Sequence, residues 1–236
     1  MELSDFEVYN AAFELRFATA FALWDKAGAI SSRLRQSYPS ASIRDARPAT
    51  VSLLLNETVE FRVELEKLVV VQYRPNRAFQ DYRESVQAIV SAVLPLLEVD
   101  QYTRVGFRAI YHQTHTDLAG ATHAMIEVGL VRVPATRVFS QDAPPHSAEY
   151  MLRWEGPATG VSVRAKTETL HVEIKPSPEF RDAEISPLKK ELHRLVYDID
   201  YFTTNAVNRE QLRVSDWIAH AVHQIHRDSR SFLSPQ

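Results

Sequence analysis

Three segments, far apart in the chain, carry charge on alternating positions: Glu14 and Arg16, Arg104 and Arg108, Asp198 and Asp200. In an extended strand successive side chains point to opposite faces, so each pair shares one face of its strand. Asp198-Ile199-Asp200 would then hold two carboxylates about 6–7 Å apart. Such a pair can grip a hard divalent cation, or split acid and base roles because mutual repulsion separates the two pKa values. Arginines on a neighbouring strand, in register, would instead consume both carboxylates as salt bridges. Out of register, Arg16, Arg104 and Arg108 would form an anion cradle, since guanidinium binds carboxylate and phosphate bidentately. The order of residues does not give the register, and both arrangements stay open.

Other chemistry is thinner. The chain has no cysteine, which removes thiolate nucleophiles, disulfides and cysteine-held zinc or iron–sulfur centres. Six glycines with no G-x-G-x-x-G or P-loop spacing leave no nucleotide cradle, and no cofactor is implied. His220, His223 and His226 step by three along an expected helix and fan over about 120° at 100° per residue, too wide for one metal. His112 and His115, three apart at a strand end, point to opposite faces. No serine has the surroundings of a nucleophile. Trp24, Trp154 and Trp217 sit among apolar positions and read as core.

The elements that must position the charges follow from periodicity. Ala11–Phe17, Thr50–Leu55, Val59–Leu65, Leu68–Tyr73, Thr103–His112, Ala148–Glu155, Val161–Lys166, Leu170–Lys175 and Leu192–Phe202 read as strands, with Asn56-Glu57-Thr58 as a hairpin tip. Helices are expected over Leu23–Tyr38, with Trp24, Ala27, Leu34 and Tyr38 near one face, and after Asn76 as cap, with Phe79, Tyr82, Val86, Ile89, Val90 and Val93 at 3.6-residue spacing and Pro95 ending or kinking it. A last helix runs from about Arg209 to Phe232, and Thr116–Val128 is either a short helix or irregular. Ser140–Ser147 and the segment with Pro176, Pro178 and Pro187 read as loops, and the Arg33–Arg47 and Arg227–Arg230 stretches as solvated faces. The apolar positions between the charges (Phe13, Leu15, Phe17; Val105, Phe107, Ala109; Tyr197, Ile199, Tyr201) offer a core face. The expected fold class is α+β: an antiparallel sheet, oily on one side and ionic on the other, packed against long helices. Each half reads strand, helix, several strands, helix, so one domain over 1–236 with two similar lobes, about 1–100 and 101–236, is expected.

The 236 residues suffice for a substantial core, with 45% hydrophobic and 24% charged residues. A net charge of −3 argues against a generally basic nucleic-acid binder. Met1 to Phe17 lacks a basic region followed by an apolar one, and Leu68–Val71 and Ala88–Leu97 are too short to span a bilayer, so a soluble cytoplasmic protein is expected.

Four segments together resemble a sporadically distributed bacterial family of uncharacterised proteins of about this length. They are Ala11-Ala-Phe-Glu-Leu-Arg-Phe17, Arg104-Val-Gly-Phe-Arg-Ala-Ile110, Tyr197-Asp-Ile-Asp-Tyr-Phe202 and Trp217-Ile-Ala-His220 followed by Ile225. The family usually has Tyr/Asn-Arg where this chain has Tyr111-His-Gln113. The resemblance implies a bacterial α+β protein whose charged strand residues recur as a set, and no catalytic residues. The patchy distribution resembles that of defence or toxin–antitoxin accessories. The expected function is a non-enzymatic binding or assembly module in which Glu14, Arg16, Arg104, Arg108, Asp198 and Asp200 engage a protein partner or small anionic ligand. Self-association is expected through an open sheet edge. The alternatives are a metal-assisted hydrolase using Asp198 and Asp200, and nucleic-acid binding on a saddle-like sheet.

Overall fold

The computed structural model describes residues 1–47, 49–133, 145–174 and 188–234. β1 (Glu7–Phe17) leads into α1 (Ala22–Ser37), then β2 (Ser42–Arg47), β3 (Thr50–Leu54), β4 (Val59–Glu64), β5 (Lys67–Tyr73) and α2 (Gln80–Leu97). A second run follows: β6 (Gln101–His115), α3 (Leu118–Glu127), β7 (Glu149–Glu155), β8 (Thr159–Ile174), β9 (Leu188–Thr203), a two-residue β10 (Val207–Asn208) and α4 (Val214–Phe232). The fold is α+β. Its strands form one antiparallel sheet in the order β2-β3-β4-β5-β1-β6-β9-β8-β7, with β10 on the end of β6. The opening strands of the two runs, β1 and β6, pair with each other at its centre.

Alternation decides which side of the sheet is covered. Phe13 and Leu15 of β1, Val105, Phe107 and Ala109 of β6, and Tyr197 and Ile199 of β9 are all buried in one apolar cluster with the helices. A one-residue slip of any of these strands would turn its whole apolar set to water, so the register is strongly specified. α2 supplies Tyr82, Val86, Ile89, Val90 and Val93 to that cluster at the predicted spacing, and the Tyr82 hydroxyl donates to the Val70 carbonyl at 2.9 Å. Side by side with α2 lie α1 and α4. Among the described residues no helix is long and apolar enough to cross a membrane.

Several expectations change. The stretches Val161–Lys166 and Leu170–Lys175 are one strand as far as Ile174: no Gly or Pro interrupts Thr167-Glu168-Thr169, and these residues pair with Leu195, Arg194 and His193 of β9. Residues 42–47, within a stretch read only as a solvated face, form the exposed edge strand β2. Asn76 does not cap α2; its amide donates to Asp81, and the helix follows Phe79 in a left-handed conformation (φ 53°). Pro95 lies in the last turn of α2, which continues to Leu97. The final helix begins at Val214, after a 3-10 turn at Arg209–Gln211, and Thr116–Val128 resolves into α3. Trp24 and Trp154 are 53% and 47% exposed, so neither is core; α1 buries Leu23, Ile30 and Leu34 instead. Only Trp217 packs partly against the core, near Phe13 and Tyr201. Ser140–Pro144, Lys175 and the segment with Pro176, Pro178 and Pro187 lie outside the described residues.

Candidate functional site: the ionic face at the centre of the sheet

All six charged residues singled out by spacing meet on the face of β1, β6 and β9 that turns away from the core. β1 and β9 flank β6 on either side, with Glu14 opposite Gly106 and Asp200 opposite Arg108. Arg104 stands at the middle. Its Nη1 donates to Glu14 Oε1 at 2.6 Å and its Nη2 to Asp200 Oδ2 at 2.6 Å, so one guanidinium clamps three strands together. Arg16 Nε adds a second bond to the same Glu14 oxygen at 2.7 Å. Arg108 takes Asp198 in a two-pronged pair, Nε to Oδ1 at 2.7 Å and Nη2 to Oδ2 at 2.5 Å.

Gly106 explains how Arg104 reaches so far. A Cβ at Gly106 would lie 2.5 Å from Arg104 Nη1. With no side chain there, Arg104 can lie down along its own strand and occupy the gap between Glu14 and Asp200. Beneath it is Phe202, 3% exposed although it belongs to the ionic face. The Arg104 guanidinium is 4.8 Å from the Phe202 ring centroid and that of Arg153, on β7, is 4.7 Å away, both within cation–π range. Gly160 makes room for the ring, since a Cβ there would meet Phe202 at 2.6 Å. The same chemistry tiles the sheet outwards: Arg62 with Glu60 and Arg47 with Asp45 on one side, Arg164 with Glu149 and Arg194 with Glu168 on the other.

Burial raises the Asp200 pKa above the usual aspartate value, and Arg104 and Arg108 pull it part of the way back. The hydrogen bond to Asp198 raises the Arg108 pKa, securing its charge. Three carboxylates face three guanidiniums, so the cluster is neutral as a whole. A hollow of about 380 Å³ opens over it, with Ala12, Val69, Val71 and Ile110 as its apolar parts. A second hollow, of about 770 Å³, lies over β2–β5 and includes Asp45, Arg47, Ser52, Glu60, Arg62 and Tyr73. Among the described residues no helix contributes to either.

Neither models of protein families nor curated proteins match this chain. The site is therefore read from its own geometry. Asp198 and Asp200 each already hold an arginine, a donor set that suits ion pairing better than a cation. Among the described residues no three His, Asp, Glu or Cys converge as metal ligands. His220 is exposed and within 3.3 Å of the Tyr201 hydroxyl, His223 is exposed, and His226 is half-buried on the flank nearest Phe79. His112 sits 3.3 Å from Glu7, its pKa lowered by burial and by Arg194.

Spacing located the six charges but missed Gly106, Phe202 and Arg153. The available signal was a glycine inside a strand, which marks a close approach of another group. Phe202 gave a partial one: alternation places it on the face of Asp198 and Asp200, but only the neighbouring strands show that it underlies Arg104 and Arg153.

Proposed function

We propose that this chain is a non-enzymatic binding module whose ionic sheet face takes a protein partner. The observation that carries this reading is a broad sheet face that, among the described residues, no helix covers, tiled with ion pairs around a hollow. A partner with its own alternating charges can exchange pairs with such a face while excluding strangers by like-charge contacts. A small anion is a poorer fit, because Arg104 and Arg108 are already committed to carboxylates. Nucleic acid is poorer still, since a neutral lattice offers little pull on a phosphate backbone. The metal-assisted reading of Asp198 and Asp200 draws nothing from carboxylates that are both paired.

Arg16, whose side chain is 55% exposed, is the residue to reverse. Native mass spectrometry of the chain isolated from its own host is expected to find a protein retained by the wild type and lost from Arg16→Glu, with both forms folded by circular dichroism. A partner retained equally by both forms would remove this face from the reading.

A second reading, self-association, is favoured by β7. Among the described residues β7 is the last strand on its side, and Met151 (61%), Leu152 (39%) and Trp154 (47%) expose apolar surface along it. The opposite edge, β2, is charged and has an irregular register between Ile43 and Asp45, two devices that protect an edge. Hydrogen bonds from Thr167 N to Ala148 O and from Gly156 N to Thr159 O set the phase of the β7–β8 ladder, in which Glu149, Met151 and Arg153 turn their backbone groups outward. Two copies pairing antiparallel about Met151 would bring Glu149 opposite Arg153 twice. Sedimentation equilibrium is expected to show a concentration-dependent dimer that Met151→Pro abolishes, because the lost N–H serves only the outer edge. A monomer at every concentration would end this reading.

A further inference from the structure

On the helical side of the molecule, remote from the ionic face, Tyr111 of β6 is 2% exposed and its hydroxyl has no hydrogen-bond partner among the described residues. A buried hydroxyl left unpaired forfeits its hydrogen bonds to water with nothing in return, so its position asks for an explanation. It borders a hollow of about 220 Å³ shared with Glu2, Ser4, Arg77, His226 and Arg230. We propose that this hollow is a binding site for a phosphate group.

The side chains converge from four separate elements. Arg77, in the loop between β5 and α2, donates from Nη2 to the carbonyls of Ser4 (2.7 Å) and Phe6, in and just after the N-terminal turn. Its orientation is thus fixed by main chain rather than by a carboxylate. Neither Arg77 nor Arg230, in the last turn of α4, forms an ion pair among the described residues. That contrasts with the ionic face, where arginines are paired across the sheet. The loop holding Arg77 is bounded by two non-glycine residues with positive φ, Arg74 (52°) and Phe79 (53°). Backbone of this kind is costly and clusters at active sites and ligand clamps. The Phe79 ring also lies against His226, with centroids 6.4 Å apart.

Charge and protonation suit an oxyanion. Burial pushes the Tyr111 hydroxyl well above its ordinary pKa, although Arg77 is near enough to oppose that shift. The phenol therefore stays protonated and can donate. Burial, Arg230, Arg77 and His223 all lower the His226 pKa, and an arriving anion would reverse this and recruit the imidazole as a further donor. The one carboxylate at the rim, Glu2, accepts a hydrogen bond from the Ser4 hydroxyl at 3.2 Å. Two guanidiniums, a phenol and an imidazole exceed what the two oxygens of a carboxylate can use, whereas a phosphate monoester offers three terminal oxygens.

Inorganic phosphate is the probe, titrated into the full chain by calorimetry and by thermal denaturation, with sodium chloride holding ionic strength constant. Phosphate is expected to raise the melting temperature above the chloride control, and acetate at the same concentration is not. The Arg77→Gln/Arg230→Gln double variant should lose the response. Tyr111→Phe should weaken phosphate binding about tenfold, while melting no lower than the wild type without phosphate because the unpaired hydroxyl has gone. A phosphate response equal to that of chloride, or retained in the double variant, overturns the site. An acetate response as large as that of phosphate overturns the assignment to phosphate.

Discussion

Replacing Arg104 with methionine is expected to lower folding stability by about 3 kcal/mol at neutral pH. The substitution keeps much of the side chain's bulk but takes away the arginine that Asp200 bonds and leaves Glu14 with Arg16 alone, and the two carboxylates flanking the gap then repel each other. The loss should depend on pH in a definite direction. The folded-state pKa of Asp200 is already raised by burial, so its protonated form favours folding, and that advantage fades as pH rises through the carboxylate range. Removing Arg104 takes away one of the two cations that hold the pKa down and raises it further. Wild type and variant should therefore differ least at about pH 4 and most near neutrality. Urea denaturation at both pH values measures this, and adding Asp200→Asn to the variant should recover part of the loss. A gap independent of pH would mean that Arg104 acts through packing alone.

The second large effect is expected at Phe202. Truncation to alanine should cost about 3–4 kcal/mol, since the ring fills the space left by Gly160 and underlies Arg104 and Arg153. Phe202→Leu should retain most of the stability by keeping an apolar floor. Denaturation curves of both variants separate the two roles of the ring: the difference between wild type and leucine reports the cation–π part, about 0.5–2 kcal/mol. An alanine variant within 1 kcal/mol of wild type would show that the floor is not needed.

How far the sequence could be read follows from the range of each signal. Phe13-Glu14-Leu15-Arg16-Phe17 declares its two faces within five residues, and the α+β class follows from several such stretches. The partner of Glu14 is a different matter, because Arg104 lies 90 positions away and periodicity carries no information about which strand adjoins which. Arg104–Asp200 and Arg108–Asp198 were foreseeable as a possibility only, for the same reason. Trp24 was misjudged because helical phase alone does not say how wide the covered stripe is. The hollow at Tyr111 was invisible, since its residues come from positions 2 to 230 with no shared pattern.

The central place of β1 has a consequence for synthesis. While only the first hundred residues have left the ribosome, β2 to β5 can close onto β1, but the other edge of β1 still awaits β6. For that interval a strand destined for the middle of the sheet is an open template, with Phe13 and Leu15 on one side and, on the other, a Glu14 that has Arg16 but still lacks Arg104. Nascent chains in this state are the ones most exposed to wrong partners. Translation rate and chaperone occupancy between β5 and β6 should consequently govern the yield of folded protein more than events after release.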